Sequence, residues 1–375
     1  MNHLYARSAL LLVAVLATQT GHGQTSWQGA NATWSTAGNW SAGSPATGPQ
    51  LAIYPGNATI QTLDLAGATG RVSIGHRFDL TAGGLGYTFN GTLNVVSGFI
   101  LRAGGSVNGI LNNDDNTQTY NVPVKLTSST GVAGPGAAMT FNAAAGNLSF
   151  IGNNLSPSAN WTINLNGATA LTFDGSFNTT IGSATTAGQI VNSNSPANPN
   201  TGLIKNGSGI LTLGGTAANT FTGVNRINAG SLVAAKVNAL GAGNALVLSG
   251  GTFDTGGLNQ SLGTLDLDGT AAIILGTGAS ALSFANSSAV DWSTFALNIS
   301  DWTVGVDTIR FGTDNTGLTG AQLNQIFFTD LGNATAQIDG SGFISPVPVP
   351  EPSALAFAVI GGLGLLVFAR RRLTN

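Results

Sequence analysis

The sequence predicts an all-β protein folded as a single elongated, parallel, right-handed β-solenoid. Three observations favour this class. Gly contributes 54 of the 375 residues, charged residues make up only 7% of the chain, and short stretches of alternating apolar residues recur between Gly and Asn turns. Helical proteins solvate their outer faces with Glu, Lys, Arg and Gln. This chain has one Glu and three Lys, too few for that purpose.

Charge and cysteine content exclude several classes of function. The chain has no Cys, which excludes disulfide frameworks, cysteine-ligated metal centres and thiol nucleophiles. Its formal net charge is −3, and its basic residues are scattered through the body, so no nucleic-acid-binding patch is expected. We therefore predict no cofactor and no nucleic-acid partner.

Residues 1–23 have the pattern of a secretory signal peptide. Arg7 precedes an apolar run over 9–17, and a small, polar tail follows it to Gly23. The apolar run is too short to span a bilayer. We expect this segment to form a helix that is removed after Gly23. The alternative, a buried first helix, is disfavoured.

Residues 24–344 are predicted to form one β domain. Alternating pairs such as Leu211 and Leu213, or Leu265 and Leu267, place apolar side chains on one face of a strand. Asn-Gly pairs provide turns. A β-sandwich with these pairs in hairpins is an alternative. The solenoid is favoured because no domain linker precedes Ser345 and small-residue turns recur, with roughly 20–25 residues per coil.

A segment within this domain, residues 207–241, contains four short motifs in order. They read GILTL over 209–213, NTFTG over 219–223, AGSL over 229–232 and ALG over 239–241. This order resembles the autotransporter-associated β-strand repeat. The resemblance implies coils of a right-handed β-helix and an exported, cell-surface context.

The two ends of the domain are predicted to be caps, which terminal coils of solenoids require. Trp27, Trp34 and Trp40 lie close together near the start. They fit either an aromatic cap or a platform on which sugar rings stack, and the cap is favoured. The opposite cap is expected over 301–344, where Thr319 and Gln322 have capping-box spacing and predict a helical turn.

The C-terminal segment, residues 345–375, combines three features. Pro residues at 346, 348, 350 and 352 predict an extended backbone outside any helix or sheet. Residues 353–369 carry no charge and predict a transmembrane helix at the short end of the usual length. The Arg cluster that follows is expected to remain cytoplasmic.

This ordered trio resembles the PEP-CTERM sorting signal of Gram-negative bacteria. The resemblance implies recognition and cleavage by exosortase, a membrane-embedded cysteine peptidase, with the membrane helix as a transient anchor. It also implies a set of sorting residues, namely Pro350, Glu351, Pro352, Arg370, Arg371 and Arg372.

The body offers little catalytic chemistry. His76 is the only His after the signal peptide, so no catalytic triad is expected. We interpret it as a surface residue whose hydrogen bonds are satisfied.

Asp114–Asp115 and the pair Asp266 and Asp268 fit acid–base or calcium roles. However, 266–269 lacks later calcium ligands, and 83–88 has Thr88 where a calcium-binding repeat needs Asp. We predict no catalytic residue and no metal site.

Asn-x-Ser/Thr triplets are frequent, but composition alone produces many of them, so glycosylation remains open. The triplets include those that begin at Asn31, Asn39, Asn57, Asn90, Asn147, Asn178, Asn206, Asn298 and Asn333.

The leading interpretation is an exported, non-enzymatic structural protein of the cell envelope or extracellular matrix. It would be anchored briefly in the inner membrane, processed by exosortase, and placed where it could contact extracellular polysaccharide. The alternatives are a β-helix polysaccharide lyase or hydrolase and a membrane-anchored surface adhesin. Clustered Asp and Arg residues in a groove on one coil face would favour the enzyme.

Overall fold

The computed structural model of the chain describes residues 24–28, 34, 37–42, 50–55, 62–64, 71–80, 84–90, 99–102, 108–127, 138–152, 162–165, 170–192 and 202–348. The predicted signal peptide and the sorting residues at 350–352 and 370–372 lie outside these ranges. Within the described residues, none of the helices has the length and apolar character needed to span a bilayer.

The described chain is almost entirely β-strand. The first sixteen strands are β1 (Gln24–Ser26), β2 (Leu51–Pro55), β3 (Thr62–Asp64), β4 (Arg71–Ser73), β5 (Gly75–Asp79), β6 (Thr88–Asn90), β7 (Phe99–Arg102), β8 (Gly109–Asn112), β9 (Gln118–Tyr120), β10 (Val124–Thr127), β11 (Met139–Ala143), β12 (Leu148–Phe150), β13 (Ile163–Asn164), β14 (Leu171–Gly175), β15 (Thr179–Ile181) and β16 (Ile190–Val191).

The remaining elements include one short helix near the end. They are β17 (Leu203–Lys205), β18 (Ile210–Leu213), β19 (Asn225–Ile227), β20 (Ser231–Ala234), β21 (Leu246–Ser249), β22 (Thr252–Asp254), β23 (Gln260–Ser261), β24 (Leu265–Gly269), β25 (Ala271–Ile274), β26 (Ala281–Phe284), β27 (Leu297–Ser300), β28 (Thr308–Phe311), α1 (Gly320–Leu323), β29 (Ile326–Phe328), β30 (Ala334–Ile338) and β31 (Phe343–Pro346), with 3₁₀ turns at Ala37–Asn39 and Thr329–Leu331.

The strands stack in long parallel sheets. One sheet has ten strands, in the order β1-β2-β5-β8-β11-β14-β17-β19-β21-β24. A second has five, β16-β13-β10-β7-β4. A third has sixteen: it runs from β3 to β29, continues through the cap strands β30 and β31, and returns along β28, β26 and β23. Each strand pairs with its equivalent one coil away. This pattern confirms the all-β class and is consistent with the predicted solenoid, while the right-handed sense remains a prediction.

Coil length differs between the two halves. Leu171 pairs with Leu203, 32 residues further along, whereas Leu246 pairs with Leu265, about 20 residues further along. The predicted 20–25 residues per coil therefore fits the later coils and is wrong for these earlier ones. Both coils carry strands on three sides, and the difference lies in the connections between them: residues 192–202 join β16 to β17, whereas only residues 262–264 join β23 to β24.

The core is a column of inward side chains that continues from coil to coil. In the N-terminal half it is largely aromatic. Phe150 stacks on Tyr120 and on Phe141, with ring centroids 5.0 Å apart in each pair. In the later coils Leu and Ile replace the aromatics, as at Leu211 and Leu213, both fully buried. Because each inward side chain packs on its equivalents above and below, one core extends through the stack.

The C-terminal end is closed by strands of opposite direction. β30 pairs antiparallel with β29 and β31, and β31 pairs antiparallel with β28. The expected capping box is confirmed, because the Thr319 hydroxyl accepts from the Gln322 backbone N–H at the start of α1. This arrangement pairs the edges that the last parallel strands would expose.

One expectation at this end is wrong. The Pro-spaced segment was predicted to lie outside any sheet, yet Ser345 and Pro346 belong to β31 and pair with β30. The β31–β28 pairing reaches only to Ile344. Pro346 therefore lies beyond the part of the strand paired on both sides, where its missing N–H costs no ladder bond.

Candidate functional site

The segment that resembles an exported repeat forms consecutive coils. Gly209 precedes β18 and lies against the coil before it, and a Cβ at this position would come within 1.9 Å of the Phe177 carbonyl oxygen. The side chain of Asn219 accepts from the Ile190 backbone N–H at 2.8 Å. Phe221, Ala239 and Leu240 are all buried. The motifs therefore supply close backbone contact, turn hydrogen bonds and core packing between coils.

Two lysines lie inside the stack, Lys236 within this segment and Lys205 just before it, and sequence reasoning missed both. Nζ of Lys236 donates to the carbonyl oxygens of Gly188 and Ala217, at 2.7 and 3.0 Å, and to Oδ1 of Asn219 at 2.8 Å. Burial lowers the pKa of Lys236 to about 7 and that of Lys205 to about 8. An isolated Lys in a chain with so few charges was the one available signal.

One face of the sixteen-stranded sheet carries a row of hydroxyl groups. Equivalent positions in five consecutive coils hold Ser or Thr, and all five side chains are partly exposed. We call this set the hydroxyl row: Thr88, Thr119, Ser149, Thr180 and Thr212. Strands in a sheet lie about 4.8 Å apart, so neighbouring hydroxyls repeat at that distance along the stack. Aligning the sequence at coil spacing would have revealed this row.

Two Asn-x-Ser/Thr triplets coincide with this face. Oδ1 of Asn147 accepts from the Asn178 backbone N–H, and Oδ1 of Asn178 accepts from the Ile210 backbone N–H, both at 2.9 Å. The Ser or Thr of each triplet belongs to the hydroxyl row. These Asn side chains therefore link successive coils, which explains their presence without glycosylation.

The pair Asp266 and Asp268 points outward from β24, because Leu265 and Leu267 on the opposite face are buried. Asp268 forms an ion pair with Arg226, whose Nη1 also donates to the Ser249 hydroxyl at 2.9 Å. Partial burial and the negative charge of Asp268 raise the pKa of Asp266. The arrangement is a carboxylate pair with a guanidinium on an exposed sheet face.

The other acidic pair lies at the turn between β8 and β9. Asp114 is buried and only 1% exposed, whereas Asp115 is exposed. Oδ1 of Asp114 accepts from the backbone and side-chain nitrogens of Asn116, each at 2.8 Å. This pair therefore sits at a coil corner and is separate from the strand that carries Asp266 and Asp268.

His76 is buried, so its interpretation as a surface residue is wrong. Its Nδ1 lies 2.9 Å from the Tyr120 hydroxyl, and burial lowers its pKa to about 3. The imidazole therefore stays neutral near pH 7. It packs edge-on to Phe99, with ring centroids 4.5 Å apart, and is part of the aromatic core.

The N-terminal tryptophans support the cap and exclude the sugar platform at these rings. Trp27, Trp34 and Trp40 are at most 2% exposed. Trp40 packs edge-on against both other rings and donates from Nε1 to the Trp34 carbonyl oxygen at 2.8 Å. Buried ring faces have no surface on which a sugar could stack.

A shallow groove of about 450 Å³ lies beside the ten-stranded sheet, lined by residues that include Ile204, Val224 and Asn244. None of its lining residues is titratable. In the described ranges, no group of three or more His, Asp or Glu side chains is placed to hold a metal ion. The carboxylate pairs and the groove are therefore separate features.

A family model for the passenger-associated-transport-repeat matches residues 203–234. This match supports the autotransporter-associated repeat expected over 207–241, and it indicates an exported protein of the cell surface or extracellular space. The chain matches no curated protein and no solved structure.

Proposed function

We propose that this chain is an exported, non-enzymatic structural protein of the cell envelope or extracellular matrix. The observation that carries the proposal is the passenger-type repeat at 203–234, folded as part of a continuous stack of parallel coils. Such a stack extends by repetition and presents long, regular faces. Few of the described residues carry a charged side chain that could take part in catalysis.

Sorting through the C-terminal signal belongs to the same proposal. Pro350, Glu351 and Pro352 are the residues that exosortase would recognise, residues 353–369 the transient anchor, and Arg370–Arg372 the cytoplasmic stop. The resemblance in sequence supports this route. After processing, the β domain would be released to the cell surface or the extracellular space.

Mass spectrometry of the extracellular protein tests the route. In a host with exosortase, the mature product should lack peptides from 365–375. Replacing Pro350, Glu351 and Pro352 with Ala, or deleting exosortase, should leave the full C-terminus on a membrane-bound protein.

The matched control replaces Pro346 and Pro348 with Ala, because these residues precede the recognition motif. That variant should be processed like the wild type. Recovery of residues 365–375 in the wild-type extracellular product would contradict the sorting proposal and favour the anchored adhesin.

A neutral extracellular polysaccharide is the partner that we propose for this protein. The hydroxyl row supports it, because five successive coils present Ser or Thr and no charged side chain at this position. Hydroxyl groups both donate and accept hydrogen bonds, which suits the hydroxyls of a glycan chain lying along the stack.

A polysaccharide lyase or hydrolase is the second candidate. The cluster of Asp266, Asp268 and Arg226 favours it, because paired carboxylates perform acid–base work on glycosidic bonds. The cluster lies on an exposed face, and the groove near Ile204 contains no titratable side chain. New chain ends produced from a polysaccharide by the wild type, and not by Asp266→Asn, would favour the enzyme.

A further inference from the structure

The turn between β8 and β9 contains a buried carboxylate with an unsatisfied oxygen. Asp114 is 1% exposed, and its Oδ2 has no hydrogen-bond partner among the described residues. The two oxygens of a carboxylate share one carbon, so Oδ2 lies at the same corner as Oδ1. A buried anionic oxygen without a partner is costly and calls for a specific explanation.

Oxygen atoms from two coils converge on this corner. The side-chain nitrogen of Asn116 lies 2.8 Å from Oδ1 of Asp114, 3.0 Å from Oδ1 of Asp115 and 3.2 Å from the carbonyl oxygen of Gly84. Gly84 belongs to the preceding coil. Three oxygens, two of them from carboxylates, therefore surround the side-chain nitrogen of Asn116.

Among the described residues, no cationic side chain forms an ion pair with either carboxylate. The ion pairs among the described residues are Arg77–Asp79 and Arg226–Asp268, and neither includes Asp114 or Asp115. Burial and, after it, the negative charge of Asp114 raise the pKa of the nearby Tyr87 phenol. Two carboxyl groups therefore lie at this corner without an ion-pair partner among the described residues, and one of them is buried in the stack.

The backbone keeps the corner compact. The next coil passes directly over it at Gly146, where a Cβ would come within 2.4 Å of the carbonyl oxygens of Asp114 and Asn116. The anionic groups are therefore held between a carbonyl oxygen of the preceding coil and a glycine of the following one. A water-filled surface loop would not constrain its oxygens in this way.

We propose that this corner is a Ca²⁺ site. Its protein ligands are the carboxylates of Asp114 and Asp115 and the carbonyl oxygen of Gly84, with water completing the shell. The Asn116 amide donates from its nitrogen to these three oxygens in the structure, and a half-turn of the amide on Ca²⁺ binding would present Oδ1 as a further ligand. Ca²⁺ prefers six to eight such oxygens in a flexible arrangement, whereas Mg²⁺ demands a strict octahedron.

Calorimetric titration of the purified full-length protein with CaCl₂, after removal of metal with a chelator, tests the site. We expect one Ca²⁺ per chain, and MgCl₂ should bind at least about tenfold more weakly. At a Ca²⁺ concentration about 100 times Kd, the melting temperature should rise by about 5 °C.

Two variants assign the site. Asp114→Asn should abolish binding. Because this buried change can also unfold the corner, Asp115→Asn at the exposed carboxylate provides a second measure, with affinity reduced at least about tenfold. The matched control, Asp266→Asn in the other acidic pair, should bind Ca²⁺ like the wild type. Absence of Ca²⁺ binding by the wild type, or equal binding by wild type and Asp115→Asn, would overturn the proposal.

Discussion

At the scale of single residues, Lys236 shows how this chain uses its few charges. Its ammonium group is enclosed by two backbone carbonyl oxygens and the side-chain oxygen of Asn219, contributed by two segments of the chain, one at Gly188 and one at 217–219. A cation in this position links coils that are far apart in sequence. Burying this ammonium group removes its hydration, and the loss of hydration lowers the pKa of Lys236 to about 7.

This pKa predicts a pH dependence of stability. Between about pH 7 and 10.5 the unfolded chain keeps the Lys236 proton and the folded chain releases it, so the free energy of unfolding should rise with pH, by on the order of 1 kcal/mol per pH unit. Lys205, whose pKa burial also lowers, should add to the same trend. Urea denaturation at pH 7 and 9 measures the effect.

Substituting Lys236 separates its contribution to the pH dependence of stability from the contributions of other titratable groups. Lys236→Met should reduce the pH dependence and, at pH 6, destabilise the fold by about 1–3 kcal/mol, because three acceptors lose their donor. Lys125→Met, at a partly exposed strand position, should preserve the wild-type dependence. An unchanged slope in Lys236→Met would show that other groups are responsible.

At the scale of elements, the repeat motifs acquire a physical meaning. The sequence predicted the strands around Leu211 and Leu213 from their alternation, and the structure buries both side chains. It did not reveal why Gly209 precedes them. The Phe177 carbonyl oxygen of the preceding coil occupies the space that a side chain would need. Alternation identifies a strand, but a close contact between coils depends on residues about 32 positions apart.

Gly209→Ala is therefore expected to destabilise the stack. The added Cβ would lie 1.9 Å from that carbonyl oxygen, and the backbone must move to relieve the overlap. We expect a loss of about 1–3 kcal/mol in the free energy of unfolding, measured by urea denaturation. Gly340→Ala is the matched control, because a Cβ there meets no atom within 4 Å. Equal stability of the two variants would contradict the steric explanation.

At the scale of the whole molecule, stacking converts scattered Ser and Thr residues into one surface. The members of the hydroxyl row lie about 30 residues apart in sequence and on adjacent strands in space. The ten-stranded sheet offers a shorter counterpart, because Thr140 and Thr172 pair on its outer face and their neighbour Ile204 is apolar.

The double variant Thr119→Val, Thr180→Val should weaken binding to a neutral polysaccharide at least about tenfold, because each lost hydroxyl removes a hydrogen bond worth about 1 kcal/mol. Co-sedimentation with the insoluble polysaccharide measures it. Thr140→Val, Thr172→Val is the matched control and should bind normally. Equal binding by both double variants would exclude the hydroxyl row as the contact surface.

The sequence by itself determined the all-β class, the later coil length, the C-terminal helical turn and the exported repeat. These depend on local properties: alternation, turn residues, capping spacing and motif order. It misjudged His76, whose environment comes from the aromatic residues of neighbouring coils, and the role of Pro346, which depends on where its partner strands end.

Only the tertiary structure placed Asp114 with Gly84, buried Lys236, and aligned the hydroxyl row. In each case the contact joins residues that are about one coil or more apart in sequence. Such contacts cannot be predicted from the sequence until the number of residues in each coil is known. The scarcity of charge was visible from composition. The positions of the remaining charges depend on how the coils stack, because burial and neighbouring oxygens decide what each charge does.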